Sequence, residues 1–128
     1  SRGIFTGKEI MAGVSHNYIN EGRAITQNLL KSHKDIDAIF CGAGDNTAMG
    51  AINAIKEAGL RVPEDIAVIG YDDIPVASAF TPLLTTVKQP VEKMGNEAFV
   101  MTLEAMQGKV SKPRNLVFEP ELDKRESA

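Results

Sequence analysis

Two adjacent carboxylates, Asp72 and Asp73, follow the apolar run Ile66-Ala67-Val68-Ile69-Gly70, with Tyr71 between run and acids. In an open parallel α/β sheet, small molecules bind just beyond the carboxyl ends of the strands. A carboxylate at such a point accepts hydrogen bonds from sugar hydroxyls or from the N–H of a heterocycle, most strongly where water is excluded. The same residues have a plainer use, because an Asp after a strand ties a turn through its own backbone. Position alone leaves both uses open for Asp72. Asp73 reads as the turn former.

Two further segments carry side chains suited to a ligand. Tyr18 ends the strand-like stretch that starts at Val14. An aromatic face there suits the C–H face of a sugar or a flat heterocycle, and it also suits the edge of a sheet. The loop Cys41-Gly42-Ala43-Gly44-Asp45 joins a strand to a helix, and Asp45 reads as that helix's cap. Gly42 and Gly44 make a bare G-x-G, a remote pointer to a nucleotide-cofactor oxidoreductase. The third small residue of a dinucleotide fingerprint would fall at Thr47, which does not fit. His16 and His33 have no Cys, Asp or Glu at a metal-ligand spacing. Cys41 reads as a small buried hydrophobe, with no base beside it. The sequence offers no catalytic constellation, no metal site and no cofactor.

The elements that must position these residues alternate strand and helix, the pattern of a mostly parallel sheet with covering helices. A helical piece over 6–12 precedes a strand over 14–18. A helix follows from Asn20 to Ser32, with Ile25, Leu29 and Leu30 inward. Asp37 to Cys41 reads as a strand buried on both faces. Ala48, Ile52 and Ile55 mark the inner stripe of a helix from Asp45 to Ala58, closed by Gly59. Strands follow at 66–71 and 85–88. The last helix opens at Pro90 and stops at Gly108. Its apolar residues Val91, Met94, Ala98, Met101 and Ala105 are widened by Phe99, Leu103 and Met106, so the helix calls for burial. A final strand spans 115–122 with Pro120 favouring an edge, and DKRESA reads as a polar tail.

The 128 residues suffice for one domain with a real core. At 43% hydrophobic and 24% charged the chain is globular in type, and a net charge of −3 argues against this piece gripping a nucleic-acid backbone by itself. A single cysteine points to a reducing compartment, the cytoplasm, and no apolar run is long enough to span a bilayer.

The segments IDAIFC, DNTAMGAINAIKEAGLRVPEDIAVIGYDDIP, TPLLTTVKQPVEKMG and LDKRES together resemble the LacI/GalR family of bacterial transcriptional regulators. The resemblance implies a three-layer α/β fold of the type I periplasmic-binding-protein-like class, here mainly its C-terminal lobe. It divides the chain into a lobe core (1–84), a segment that crosses to a second lobe (85–108), and a return strand with tail (109–128). The helix-turn-helix headpiece, the hinge and most of the N-terminal lobe are expected outside this chain, so DNA is met only through that headpiece.

A small effector, a sugar or a purine-like compound, is expected between the lobes, where it shifts operator affinity. By the same resemblance Asp72 contacts the effector, Tyr18 stacks on it, and Arg2 holds it from the lobe's first helix. Gly44 stands where many relatives carry an Asn that meets a sugar hydroxyl, a departure shared with some purine-responsive members. Phe80 lies on a loop that helps form the dimer interface in relatives, or else folds over the helix ends. The last helix, without its usual neighbours, is expected to fold back on the sheet or to pack in a homodimer or swapped oligomer. The alternative reading is a periplasmic or transporter-linked sugar-binding protein of the same fold.

Overall fold

A computed structural model describes residue 10, residues 12–15, 18–109 and 114–128. Four strands form one sheet in chain order, β1 (Ala38–Phe40), β2 (Ala67–Tyr71), β3 (Thr85–Lys88) and β4 (Glu121–Asp123). The first three are parallel, with Phe40 opposite Ile69 and Tyr71 opposite Val87, and β4 returns antiparallel to β3. Three helices accompany them, α1 (Ile19–Ser32), α2 (Asp45–Glu57) and α3 (Val91–Met106). The α/β class and the dominance of parallel pairing are as the alternating pattern implies.

Helix α2 is the centre of the core. Ala48, Met49, Ala51, Ile52, Ala54 and Ile55 are all buried, which leaves it almost no solvent face. One side meets Val68 and Leu84 of the sheet within a single apolar cluster. The other meets α1 at a distance only glycine allows. A Cβ at Gly22 would lie 2.2 Å from the Thr47 carbonyl oxygen, and one at Gly50 2.0 Å from that of Ile19. The two helices therefore touch backbone to backbone near the start of α1. Arg23 and Gln27 of α1 both reach Glu57 at the end of α2, which fixes a parallel course.

Several expectations are corrected. Over 14–18 no strand forms among the described residues. Tyr18 keeps extended angles (φ −117°, ψ 142°), yet it serves as the N-cap of α1. Residues 16 and 17 of that span lie outside the described residues. Strand β1 is not buried on both faces: Ala38 and Phe40 are exposed and only Ile39 turns inward, because β1 is the sheet's edge and its outer face has no helix among the described residues. The final strand shrinks to Glu121–Asp123, after Pro120, which cannot donate to a ladder.

The tail is not a solvated extension. Ser127 has no exposed surface; its hydroxyl donates to the Val68 carbonyl at 2.6 Å and accepts the Thr85 N–H at 2.9 Å. Its carbonyl also accepts the Val68 N–H at 2.7 Å. It thus fills the ladder between β2 and β3 just before the two strands begin to pair.

Helix α3 neither folds back on the sheet nor buries a single residue. Phe99 is 69% exposed and Met106 80%. The second helical layer of a three-layer sandwich is accordingly not found among the described residues.

Candidate functional site

Because β1 and β2 are parallel neighbours, the loops that leave their carboxyl ends emerge side by side. The β1 loop carries Gly44 and the β2 loop carries Asp72. Gly44 is the N-cap of α2, with φ 123° and ψ 169°. That region of backbone space is open in practice only to glycine. The residue's conformation thus accounts for its type before any ligand is considered. It sits buried at the foot of α2, whose Ala48 N–H donates to its carbonyl.

Asp45 does not cap that helix. It is the first helical residue, it is fully buried, and its carboxylate is turned toward the β2 and β3 ends. Its Oδ2 accepts the Ile74 N–H at 2.8 Å, and its Oδ1 accepts the Thr86 hydroxyl at 2.5 Å. The capping expectation fails because these two distant partners satisfy the side chain better than the local N–H groups of α2 would. Cys41 is buried beside this group. Removal from water, and then the Asp45 charge, push its thiol up to about 12. It is an inert small hydrophobe.

Asp72 ends β2 with its own N–H donating to the Val87 carbonyl at 2.9 Å. Its φ is 102°, a strained value for a residue with a side chain. The carboxylate is half-buried and Oδ1 accepts from Gln89 Nε2 at 2.7 Å. Gln89 lies between β3 and α3, and it also lines an open groove with Val91, Lys93, Asn96 and Glu97. Asp73 makes the turn as expected, with φ 53°. It does more than turn the chain. Its carboxylate receives Arg125 Nη2 at 2.6 Å and has Lys88 at 3.8 Å. Arg125 also donates to Asp123 and to the Leu84 carbonyl, so the tail anchors the second acid of the pair.

Tyr18 is 63% exposed at the start of α1. The close approach of Gly22 to Thr47 sets that start beside the first turns of α2, on the side of the sheet's carboxyl end. Tyr18, Gly44 and Asp72 are therefore at one end of the lobe. Phe80 is half-buried and packs against the core cluster. Arg2 and His16 lie outside the described residues. No group of three metal-ligating side chains comes together among the described residues, and no helix is long and apolar enough to cross a membrane.

Thr86, Gln89, Arg125 and Ser127 escaped notice in the sequence. The one local signal was Gly70, a glycine inside a strand, which marks a close approach: a Cβ there would lie 2.2 Å from Asp45 Oδ1.

The periplasmic-binding-protein-like domain family matches residues 8–128, nearly the whole of this arrangement. The chain belongs to that family. Within it, the chain is similar to LacI-type regulators. It is 42% identical over 128 residues to the HTH-type transcriptional repressor PurR of Escherichia fergusonii, covering 94% of this chain and 37% of the relative. Among solved structures, the transcriptional regulator CelR–cellobiose complex superposes with a TM-score of 0.83 and 38% identity, over 87% of this chain and 34% of that one. The lac repressor dimer bound to operator and the anti-inducer ONPF gives 0.79 and 34%, over 86% and 33%. These relatives are transcriptional repressors and regulators, not enzymes. The chain spans only about a third of their length.

Proposed function

We propose that this chain is the C-terminal lobe of the effector-binding core of a LacI/GalR-type regulator, working in the cytoplasm. A small polar effector, a sugar or a purine-like compound, is held at the carboxyl end of the sheet against a second lobe. The observation that carries this reading is Asp72. Its carboxylate stands past the end of β2 on strained backbone, bonded to Gln89 where the chain turns toward α3. Strain of this kind persists where surrounding structure enforces it, and it clusters at ligand sites. Gly44 has no side chain and is buried, with its N–H donating to the Cys41 carbonyl and its carbonyl accepting the Ala48 N–H, so hydroxyl or N–H groups of the ligand fall to Asp72, and Tyr18 supplies the stacking face. The cellobiose carried by the CelR structure fits such donors.

Helix α3, whose apolar face is uncovered here, crosses to the second lobe in this reading. Ligand closure of the two lobes shifts a two-state equilibrium that a DNA-binding headpiece reports. The regulator acts as a homodimer, as the lac repressor structure does, with Phe80 near the contact.

Calorimetric titration of the full-length regulator, in which this lobe faces its second lobe, with cellobiose, lactose, hypoxanthine and guanine tests the reading. Binding of one class, lost by at least tenfold in Asp72→Asn, is the expected result. Binding that Asp72→Asn leaves untouched removes Asp72 from the site.

A further inference from the structure

The loop that carries Asp72 is held by an acid from another element. The backbone N–H of Ile74 donates directly to the buried Asp45 carboxylate, at 2.8 Å. The N–H of Asp73 donates to Thr86 Oγ1 at 3.4 Å, and that hydroxyl donates its own proton to Asp45 at 2.5 Å. Both residues after Asp72 are thus tied, one directly and one through Thr86, to a single carboxylate that solvent does not reach. Gly70 leaves the space that carboxylate occupies. From the other side Arg125 holds Asp73. Asp72 and Asp73 both keep positive φ, at 102° and 53°, between these two restraints.

We propose that Asp45 and Thr86 are positioning residues for the ligand site, holding 72–74 in the turn that presents the Asp72 carboxylate beyond β2. The inference rests on the reading of Asp72 as a ligand contact. A buried carboxylate that only stabilised the core would need no link to the two amides after Asp72. Thr86 is the member that can be altered with least change of shape, because valine keeps its volume and loses only the hydroxyl.

The test is hydrogen exchange on this chain and calorimetry on the full-length regulator with both lobes, comparing wild type with Thr86→Val and Thr86→Ser. Thr86→Val is expected to speed exchange at the Asp73 and Ile74 amides at least tenfold while the amides of Ile52 and Ile55 stay protected. It lowers affinity for cellobiose or hypoxanthine, whichever binds the wild type, at least fivefold, and Thr86→Ser restores both. Asp45→Asn, which keeps the shape and turns one acceptor into a donor, is the second variant should Thr86→Val fail to fold. Native exchange at both amides in these variants overturns the proposal. So does quickened exchange with full affinity for a probe whose binding Asp72→Asn abolishes. Affinity untouched by Asp72→Asn marks instead the failure of the Asp72 reading.

Discussion

Gly70→Ala is the smallest change that strikes the Asp45 clamp, and its effect follows from the geometry. Gly70 has ordinary strand angles, so alanine brings no backbone strain; the new methyl would simply lie 2.2 Å from Asp45 Oδ1 and 3.0 Å from Leu84 Cδ2. Leu84 can turn its methyl aside. Asp45 cannot, because both oxygens are held, at 2.5 Å by Thr86 and 2.8 Å by Ile74. Restoring ordinary contact displaces the oxygen by about 1.2 Å, enough to break the Thr86 bond.

A buried hydrogen bond to a charged group is worth about 1.5–3 kcal/mol. Alanine returns about 0.5–1 kcal/mol through the unfolded chain. The net loss is therefore roughly 1.5 kcal/mol. In an Asp45→Ala background the clashing oxygen is gone, and Gly70→Ala is expected to be neutral or slightly stabilising there. Urea unfolding of the four members of this cycle, followed by circular dichroism, measures a coupling of about 2 kcal/mol or more. An equal cost for Gly70→Ala in both backgrounds would refute the reasoning.

Three further outcomes are expected. Ser127→Ala leaves the Thr85 N–H without its acceptor in a fully buried place and costs about 1–3 kcal/mol in thermal or urea unfolding, where a solvated tail would show no change. Gly44→Asn destabilises the chain by about 1–3 kcal/mol, since φ 123° with ψ 169° lies outside the left-handed region that Asn tolerates; an unchanged urea midpoint would contradict this. Burial, and then the Asp45 charge, raise the Cys41 thiol from 9.0 to about 12 in the folded state, so its contribution is complete below pH 9 and is lost as pH rises toward 12. Urea midpoints should fall between pH 9 and 10.5 in the wild type and fall less in Cys41→Ala.

What the sequence revealed and what it concealed divide by the distance over which each residue acts. Thr85–Lys88 formed a strand as expected, and α2 runs from Asp45 with Ala48, Ile52 and Ile55 buried, because helical period acts over a few residues. Asp45 was misread for the same reason. An acid at a helix start has a sufficient local explanation, whereas its true partners lie 29 and 41 residues on. Ser127 is the extreme case, since the residues it bonds stand 42 and 59 positions back. Composition gives DKRESA as a polar tail, and no local rule says that one of its hydroxyls completes a sheet. The strand expected over 14–18 falls partly outside the described residues, and of those described Tyr18 serves as the N-cap of α1.

Helix α3 brings the same distinction to bear on function. Its sixteen residues have strong local signals, Pro90 before the start and Gly108 at φ 68° past the end, and it forms as expected. Yet a helix of this length without packing is marginal in water, since most helical stability in proteins comes from a buried face. Here that face is bare, with Val91, Phe99 and Met106 mostly exposed. The core of the lobe lies in α2, β2 and β3, and α3 adds nothing to it. Lys93 lies over the Phe118 ring and Glu104 pairs with Arg114, but the apolar residues of α3 find no such partner among the described residues and call for another surface. Gln89, two residues before α3, is bonded to Asp72. Whatever covers α3 is thereby joined, through a single side-chain amide, to the carboxylate assigned to the ligand.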